Sequence, residues 1–213
     1  MKATATAEIA EAEGALAALD PVLAQLIARA GPCTLGGPRR NTSAFAELAR
    51  TITFQQLAGR AAATIHGRLV TALGGRVTPA AVLATPVETI RAAGMSGAKT
   101  ASVIDLANAF TDGRIKTRRL STLPEDELIE ELSSVRGIGR WTAEMFLMFY
   151  LGRLDVWPTG DLGVRNGYAR LWGLTPSPKP KELEAMGDRF RPYRSVVAWY
   201  CWRAIDTVAP EAQ

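Results

Sequence analysis

The stretch WPTGDLGVRNG, residues 157–167, sets one carboxylate, Asp161, directly after a Pro–Gly entry and directly before a run of helical spacing ending near Trp172. An aspartate at a helix start reads in two ways. It caps the first free amides of the helix, or it supplies the negative charge that opposes a cation developing on a substrate. A second stretch, VRGIGRWTAEMF at 135–146, places Gly137 and Gly139 two apart between Arg136 and Arg140 and runs straight into Trp141. Glycines here permit positive φ and let another backbone come close. The following helix begins with unpaired amides and a positive dipole end, so such a turn can cradle a phosphate, with Arg136 or Arg140 adding charge and Ile138 anchoring the turn in the core. The competing reading is an ordinary helix–helix turn with a glycine stop. A third stretch, RFRPYRSVVAWYCWRA at 189–204, mixes Phe190, Tyr193, Trp199, Tyr200 and Trp202 with four arginines and reads on its own as a core helix with a basic entry. His66, the one histidine, has no Ser, Cys or ligand constellation beside it and is read as structural.

These residues need helices to position them. In DELIEELSSV, 126–135, Leu128, Ile129, Leu132 and Val135 fall on one helical face. The pattern stops at Arg136 and resumes after Arg140, where Trp141, Ala143, Met145, Phe146, Leu147, Met148, Phe149 and Leu151 predict a buried helix. The result is a helix-hairpin-helix over about 126–151. Helical periodicity dominates elsewhere and strand alternation is nearly absent. Ala-rich segments at about 7–19, 21–30 and 44–73 predict helices. TPVE at 85–88 and TLPE at 122–125 each offer a Thr cap, an early Pro and Glu at N3. Gly31, Gly74, Gly94 and Gly173 read as helix stops. TPSPKPKE at 175–182 reads as a surface connection, and DGRIKTRR at 112–119 as a solvated basic loop. The fold class is all-α.

Bulk properties narrow the partners. With 213 residues and 47% apolar content, the chain can bury one substantial core. Lys plus Arg number 25 against 21 Asp plus Glu, a net charge of +4, with a pI near 9.3; this mild excess suits a polyanion. The 2 cysteines, Cys33 and Cys201, exclude a disulfide framework and a four-cysteine cluster, and a reduced, cytosolic setting is expected. Glu8, Glu11, Glu13 and Asp20 interrupt the apolar residues near the start, so no signal-peptide core is expected. The longest apolar stretch, around 145–151, is far short of the roughly 20 residues of a membrane span, so no membrane partner is expected.

Taken jointly, LSSVRGIGRWTA, WPTGDLGVRNG and RPYRSVVAWYCW resemble the helix-hairpin-helix (HhH-GPD) DNA glycosylase superfamily, and within it the 3-methyladenine DNA glycosylase II, or alkylbase, branch. ITFQQLAGRAAATIHGRL at 52–69 and GMSGAKTASVIDLA at 94–107 are similar to that branch's N-terminal helices, so the likeness covers roughly 44–205. It implies a single glycosylase core over 1–213 with two helical lobes flanking a DNA-binding cleft. The middle lobe spans about 45–153, and the terminal lobe about 1–44 plus 154–213. Bacterial relatives often add an N-terminal mixed α/β domain, for which this chain is too short.

The resemblance also implies an activity: a monofunctional glycosylase that flips alkylated purines out of double-stranded DNA and hydrolyses the N-glycosidic bond. The alternative is a non-catalytic helix-hairpin-helix module that binds DNA or senses lesions. Asp161 matches the family's catalytic aspartate. Trp141 and Trp202 match pocket aromatics, Tyr193 is a further pocket candidate, and Met145 stands where some relatives carry a tyrosine. Gln56 and Leu57, after Gln55, occupy the wedge position that fills the gap left by a flipped base; which of the two enters is open, as is the reading of Leu57 as core. Arg136, Gly137, Ile138, Gly139 and Arg140 form the DNA-binding hairpin. Main-chain carbonyls of Ser133, Val135 and Ile138 match the positions through which relatives hold Na+ or K+. No other cofactor is implied, and with 2 cysteines no iron–sulfur cluster. Glycosylase/lyases of the superfamily carry a lysine after G-x-G-[RQ]; here Trp141 stands there, which implies hydrolysis only. A monomer acting on the nucleoid in a bacterial cytoplasm is expected.

Overall fold

The computed structural model describes residues 2–35, 42–57 and 59–206. Among them are twelve α-helices, two 3₁₀ turns and no strand. The chain packs as two units, one made of 1–39 with 147–213 and one of 40–146.

The first unit contains α1 (Lys2–Leu19), α2 (Pro21–Ala30), α10 (Leu162–Trp172), α11 (Pro180–Gly187) and α12 (Arg194–Asp206). α12 is its core: Val196, Val197, Ala198, Tyr200, Cys201 and Ala204 are all buried, as expected of a helix that is apolar nearly all round. It packs chiefly against α10 and α2. At the α10 crossing a Cβ on Gly167 would lie 2.0 Å from the Cys201 carbonyl oxygen, so only glycine fits. Buried Asp20 caps α2 by accepting from the Val22 amide at 2.8 Å, and it also accepts from Trp172 Nε1 at 3.1 Å and Arg189 at 2.7 Å. One carboxylate thereby joins both ends of the chain. Cys33 and Cys201 are free and buried; burial pushes the Cys33 thiol up to about 12, leaving it unreactive.

The second unit contains α3 (Ala44–Phe54), α4 (Gly59–Ala72), α5 (Pro79–Ala84), α6 (Val87–Ala92), α7 (Gly97–Thr111), α8 (Glu125–Ser133) and α9 (Arg140–Phe149), whose last turn belongs to the first unit. α7 is central, packing on α5, α3 and α6 through buried Val103, Leu106 and Ala107. Ser43 and Ser96 cap α3 and α7, accepting from the amides of Ala46 and Lys99 at 3.2 Å each.

Several expectations change. The helix expected through 44–73 is broken at Gln55–Leu57, between α3 and α4. Thr85 and Thr122 are not N-caps. Pro86 and Pro124 hold those positions, and the threonine hydroxyls donate backwards to Ala81 and Arg119 carbonyls. The basic loop at 112–119 is tied down, with Arg114 bridging Asp105 at 2.8 Å and Asp112 at 3.0 Å, and it forms a 3₁₀ turn over Thr117–Arg119. The four predicted helix stops hold: Gly31, Gly74, Gly94 and Gly173 all take positive φ.

Candidate active site

Asp161 lies in the first unit as the N-cap of α10. Its Oδ1 accepts from the Val164 amide at 2.8 Å and from the Trp202 indole Nε1 at 2.9 Å. The cap and the charge are therefore one feature, not rival readings. The local sequence explains the placement: Pro158 makes the turn by accepting the Asp161 amide at 2.9 Å, and Leu162–Trp172 carries the helical pattern onward. The Trp202 ring stacks on Phe149 with centroids 6.0 Å apart and planes inclined by 25°. Phe149 is itself 50% exposed, so half-buried Trp202 has one face covered by an accessible aromatic.

Gly163 makes this arrangement sterically feasible. A Cβ there would meet Trp202 Cδ1 at 2.8 Å and Nε1 at 3.0 Å, and Asp161 Oδ1 at 3.0 Å. Gly163 and Phe149 escaped the sequence reading. Gly163 and Gly167, one turn apart on α10, form the small-residue face that would have revealed the close helix contact. Tyr193 is positioned differently. Its amide donates to the Phe190 carbonyl and its carbonyl accepts the Val196 amide, which shapes the turn into α12.

The second unit holds the hairpin. Gly137 takes φ +78, and a Cβ on it would lie 2.4 Å from Ser102 Oγ on α7. Gly139 departs from expectation: its φ is not positive, and no atom lies within 4 Å of where its Cβ would be. Gly137 serves the fold, whereas Gly139 faces open space. Ile138 is buried as the anchor. Not every hairpin amide is available to an anion. The Arg136 amide donates to Asp105 Oδ2 at 2.8 Å and the Ile138 amide to the Val135 carbonyl at 3.1 Å, while those of Gly137 and Gly139 find no acceptor among the described residues. The Arg136 amide, followed by Arg114, holds the Asp105 carboxyl below its ordinary range. The Arg140 guanidinium is engaged by buried Glu144 at 2.9 Å and Asp126 at 3.7 Å; Arg136 is exposed.

Beside the hairpin, in the same unit, Arg50, Thr51, Phe54, Gln55, Gln56, Trp141 and Thr142 line an open pocket of about 570 Å³. Trp141 is 47% exposed. With Phe149 it corrects the reading of the whole 141–151 run as buried; Met145 is half-buried. The Arg50 guanidinium lies over the Phe54 ring at 4.2 Å. Leu57 is 39% exposed, which removes the core reading for it, and Gln56 takes φ +55, a left-handed conformation for a non-glycine residue. His66 packs edge-on against Phe54, in keeping with a structural role.

The hairpin carbonyls present neutral oxygens only. Ser133 Oγ is buried with no hydrogen-bond partner among the described residues. Of the Ser133, Val135 and Ile138 carbonyls, that of Val135 accepts the Ile138 amide at 3.1 Å, and the Asp105 carboxylate at this turn accepts the Arg136 amide at 2.8 Å. Among the described residues no group of three or more His, Cys, Asp or Glu could hold a metal, and no helix is long and apolar enough to cross a membrane.

Two helical units, a glycine hairpin between α8 and α9, and a carboxylate capping α10 under an indole define an all-α helix-hairpin-helix protein. Residues 49–192 match the HhH-GPD superfamily of base excision DNA repair proteins, and the chain belongs to that family. It is 33% identical to the alkylbase DNA glycosidase-like protein mag2 of Schizosaccharomyces pombe, over 90% of this chain and 92% of that one. Two solved structures are similar. One is the 3-methyladenine DNA glycosylase Mag1 of the same yeast in complex with abasic DNA, at TM-score 0.78 and 34% identity, covering 95% of this chain and 100% of that one. The other is a DNA-3-methyladenine glycosidase from Bacillus halodurans, at TM-score 0.81 and 35% identity, covering 89% and 87%.

Proposed function

We propose that this protein is a DNA glycosylase of the 3-methyladenine type, which turns alkylated purines out of double-stranded DNA and hydrolyses their N-glycosidic bond. The observation that carries the reading is the Asp161 carboxylate, with one oxygen locked by the Val164 amide and the Trp202 indole. Capping α10 needs only the bond from the Val164 amide; the added indole bond holds the charge in one orientation, which supports a catalytic carboxylate over a DNA-binding module.

The chemistry asks little beyond a fixed negative charge. A purine alkylated at N3 or N7 is already cationic, so it departs as a neutral base and needs no strong general acid. As the bond from C1′ to the base nitrogen breaks, its electron pair goes to the purine and the sugar gains oxocarbenium character. A preorganised carboxylate stabilises that cation. Asp161 then orients the water that adds to C1′ and accepts its proton. Two donors on Oδ1 keep the carboxylate from rotating away from its task. The Trp202 ring, backed by Phe149, offers a π face that favours a cationic base.

The second unit supplies the grip. The amides of Gly137 and Gly139 and the Arg136 side chain receive a backbone phosphate. Leu57, already exposed, is the better wedge, with Gln56 beside it in the pocket that Trp141 walls. A monovalent cation held by the carbonyls of Ser133, Val135 and Ile138 would screen that phosphate. Hydrolysis runs without a lyase step, because Trp141 stands where an amine would be needed and the Lys99 ammonium is engaged by two backbone carbonyls. The test is direct: incubate the protein with methylated duplex in chelator and separate the free bases. Release of 3-methyladenine or 7-methylguanine, leaving abasic sites, is expected; duplex binding without release would reinstate the non-catalytic module.

A further inference from the structure

The turn between α3 and α4 is unusual in what holds it. No glycine or proline breaks the helix there; the residues are Gln55, Gln56 and Leu57. Gln56 sits at φ +55, a conformation that costs energy for a side-chain-bearing residue and persists only where the surroundings impose it. Contacts from two other parts of the same unit, α7 and the hairpin, meet the turn here. Lys99 on α7 donates its ammonium to the Thr53 carbonyl at 2.8 Å and the Gln55 carbonyl at 2.6 Å, closing the C-terminal end of α3 where free carbonyls and the negative dipole end attract a cation. Gln55 then reaches across, its Nε2 donating to the Gly137 carbonyl at 2.9 Å and to Thr142 Oγ1 at 3.4 Å. The hairpin's glycine is thus tied through one amide side chain to the residue immediately before Gln56 and Leu57.

We propose that Gln55 is a positioning residue that couples the phosphate-binding hairpin to the wedge, so that gripping the backbone also presents Leu57 to the base stack. The proposal rests on the reading of Leu57 as wedge and deepens it. The physical argument is preorganisation. Bonds that fix the entry to a strained turn, through the Gln55 carbonyl and the Gln55 side chain, restrict how far the wedge can relax before the DNA arrives. The clasp is geometric: one ammonium donates to two carbonyls, at 2.8 and 2.6 Å, and partial burial draws its pKa below the ordinary value. Only the side chain of Gln55 touches the hairpin; its backbone is held by Lys99. The coupling can therefore be cut without removing the turn.

The experiment compares single-turnover release of 7-methylguanine from two duplexes, one with the lesion paired to cytosine and one with it in an unpaired bulge, where extrusion needs little help. Gln55→Ala is expected to lower the ratio of paired to bulge rates about 3- to 10-fold, the scale of one lost hydrogen bond. Leu57→Ala is expected to lower the same ratio, and the double variant to lower it no further than the larger single effect, since both residues act in one step. If Gln55→Ala leaves the ratio unchanged while Leu57→Ala lowers it, the wedge reading stands and the coupling is overturned. If the two rates fall together, Gln55 is merely structural and the coupling is again overturned. If Leu57→Ala itself leaves the ratio unchanged, the wedge reading fails and takes the coupling with it.

Discussion

Trp202 and Asp161 are joined by an indole N–H that donates to Oδ1 at 2.9 Å, beside the α10 amide of Val164 on the same oxygen at 2.8 Å. Trp202 therefore holds the carboxylate with its edge while its face remains aromatic. The two roles separate experimentally. Trp202→Phe keeps a ring and loses the donor; Trp202→Ala loses both. Trp202→Phe is expected to slow release of cationic 7-methylguanine and neutral hypoxanthine alike, by about 10- to 100-fold for one charge-assisted bond. Trp202→Ala should slow 7-methylguanine by about a further 10-fold, the scale of a lost cation–π contact. Single-turnover rates on the two lesions check this. An equal further drop on both would reduce the ring to packing.

Gly163→Ala places a methyl group where Trp202 and Asp161 already stand. Overpacking of this kind costs on the order of 1–3 kcal/mol, and the ring must shift off the carboxylate. Thermal unfolding should register a modest loss, while base release should fall by more than the loss of folded protein explains. Affinity for undamaged duplex, carried by the other unit, should hold. Wild-type release from folded Gly163→Ala protein would remove the glycine from the account.

The two hairpin glycines should respond differently. A Cβ at Gly139 points into open space, so Gly139→Val should fold and weaken binding to damaged and undamaged duplex alike by blocking phosphate approach. Gly137→Val combines a positive φ with a clash on Ser102 and should chiefly destabilise, with Ser102→Gly recovering part of the loss. With roughly 3–5 phosphates neutralised, log K should fall against log salt with a slope of about −3 to −4.5. A Gly139→Val protein that binds duplex normally would mean the grip lies elsewhere.

No covalent adduct is expected when protein and methylated duplex are treated with borohydride, and strands should part only after added base or heat. One candidate competing amine inside the described fold, Lys99, donates to the Thr53 and Gln55 carbonyls. A trapped complex that disappears in Lys99→Met would show that the clasp opens and would contradict hydrolysis-only chemistry.

Local grammar made much of this legible before the structure. Asp161 announced a helix start because a capping residue after Pro–Gly precedes an unbroken helical pattern, and α10 begins where that grammar puts it. The hairpin was legible because the apolar period stops at Arg136 and restarts beyond Arg140. What escaped depends on distant residues. Gly163 reads locally as a weak point in a helix, and only α12 reveals that an indole occupies its missing Cβ. The break at Gln55–Leu57 holds no glycine or proline of its own, and the contacts it makes with Lys99 and the hairpin come from far along the chain. Trp141 and Phe149 were misjudged because a dense apolar run carries no period that separates a buried face from an exposed one. Thr85 and Thr122 each had a proline behind them, and the proline took the cap.

The central claim is that the Asp161 charge, rather than its shape, performs the chemistry. Asp161→Asn keeps an oxygen to accept from Val164 and Trp202, so the cap and the fold should survive. The measurement is single-turnover release of 7-methylguanine from saturating Asp161→Asn protein, alongside its affinity for the same duplex. The expected result is a loss of release of about 10²–10³-fold, the scale of removing a central electrostatic contact, with affinity unchanged or slightly improved. Release near the parent rate from folded, DNA-bound Asp161→Asn protein would contradict the account.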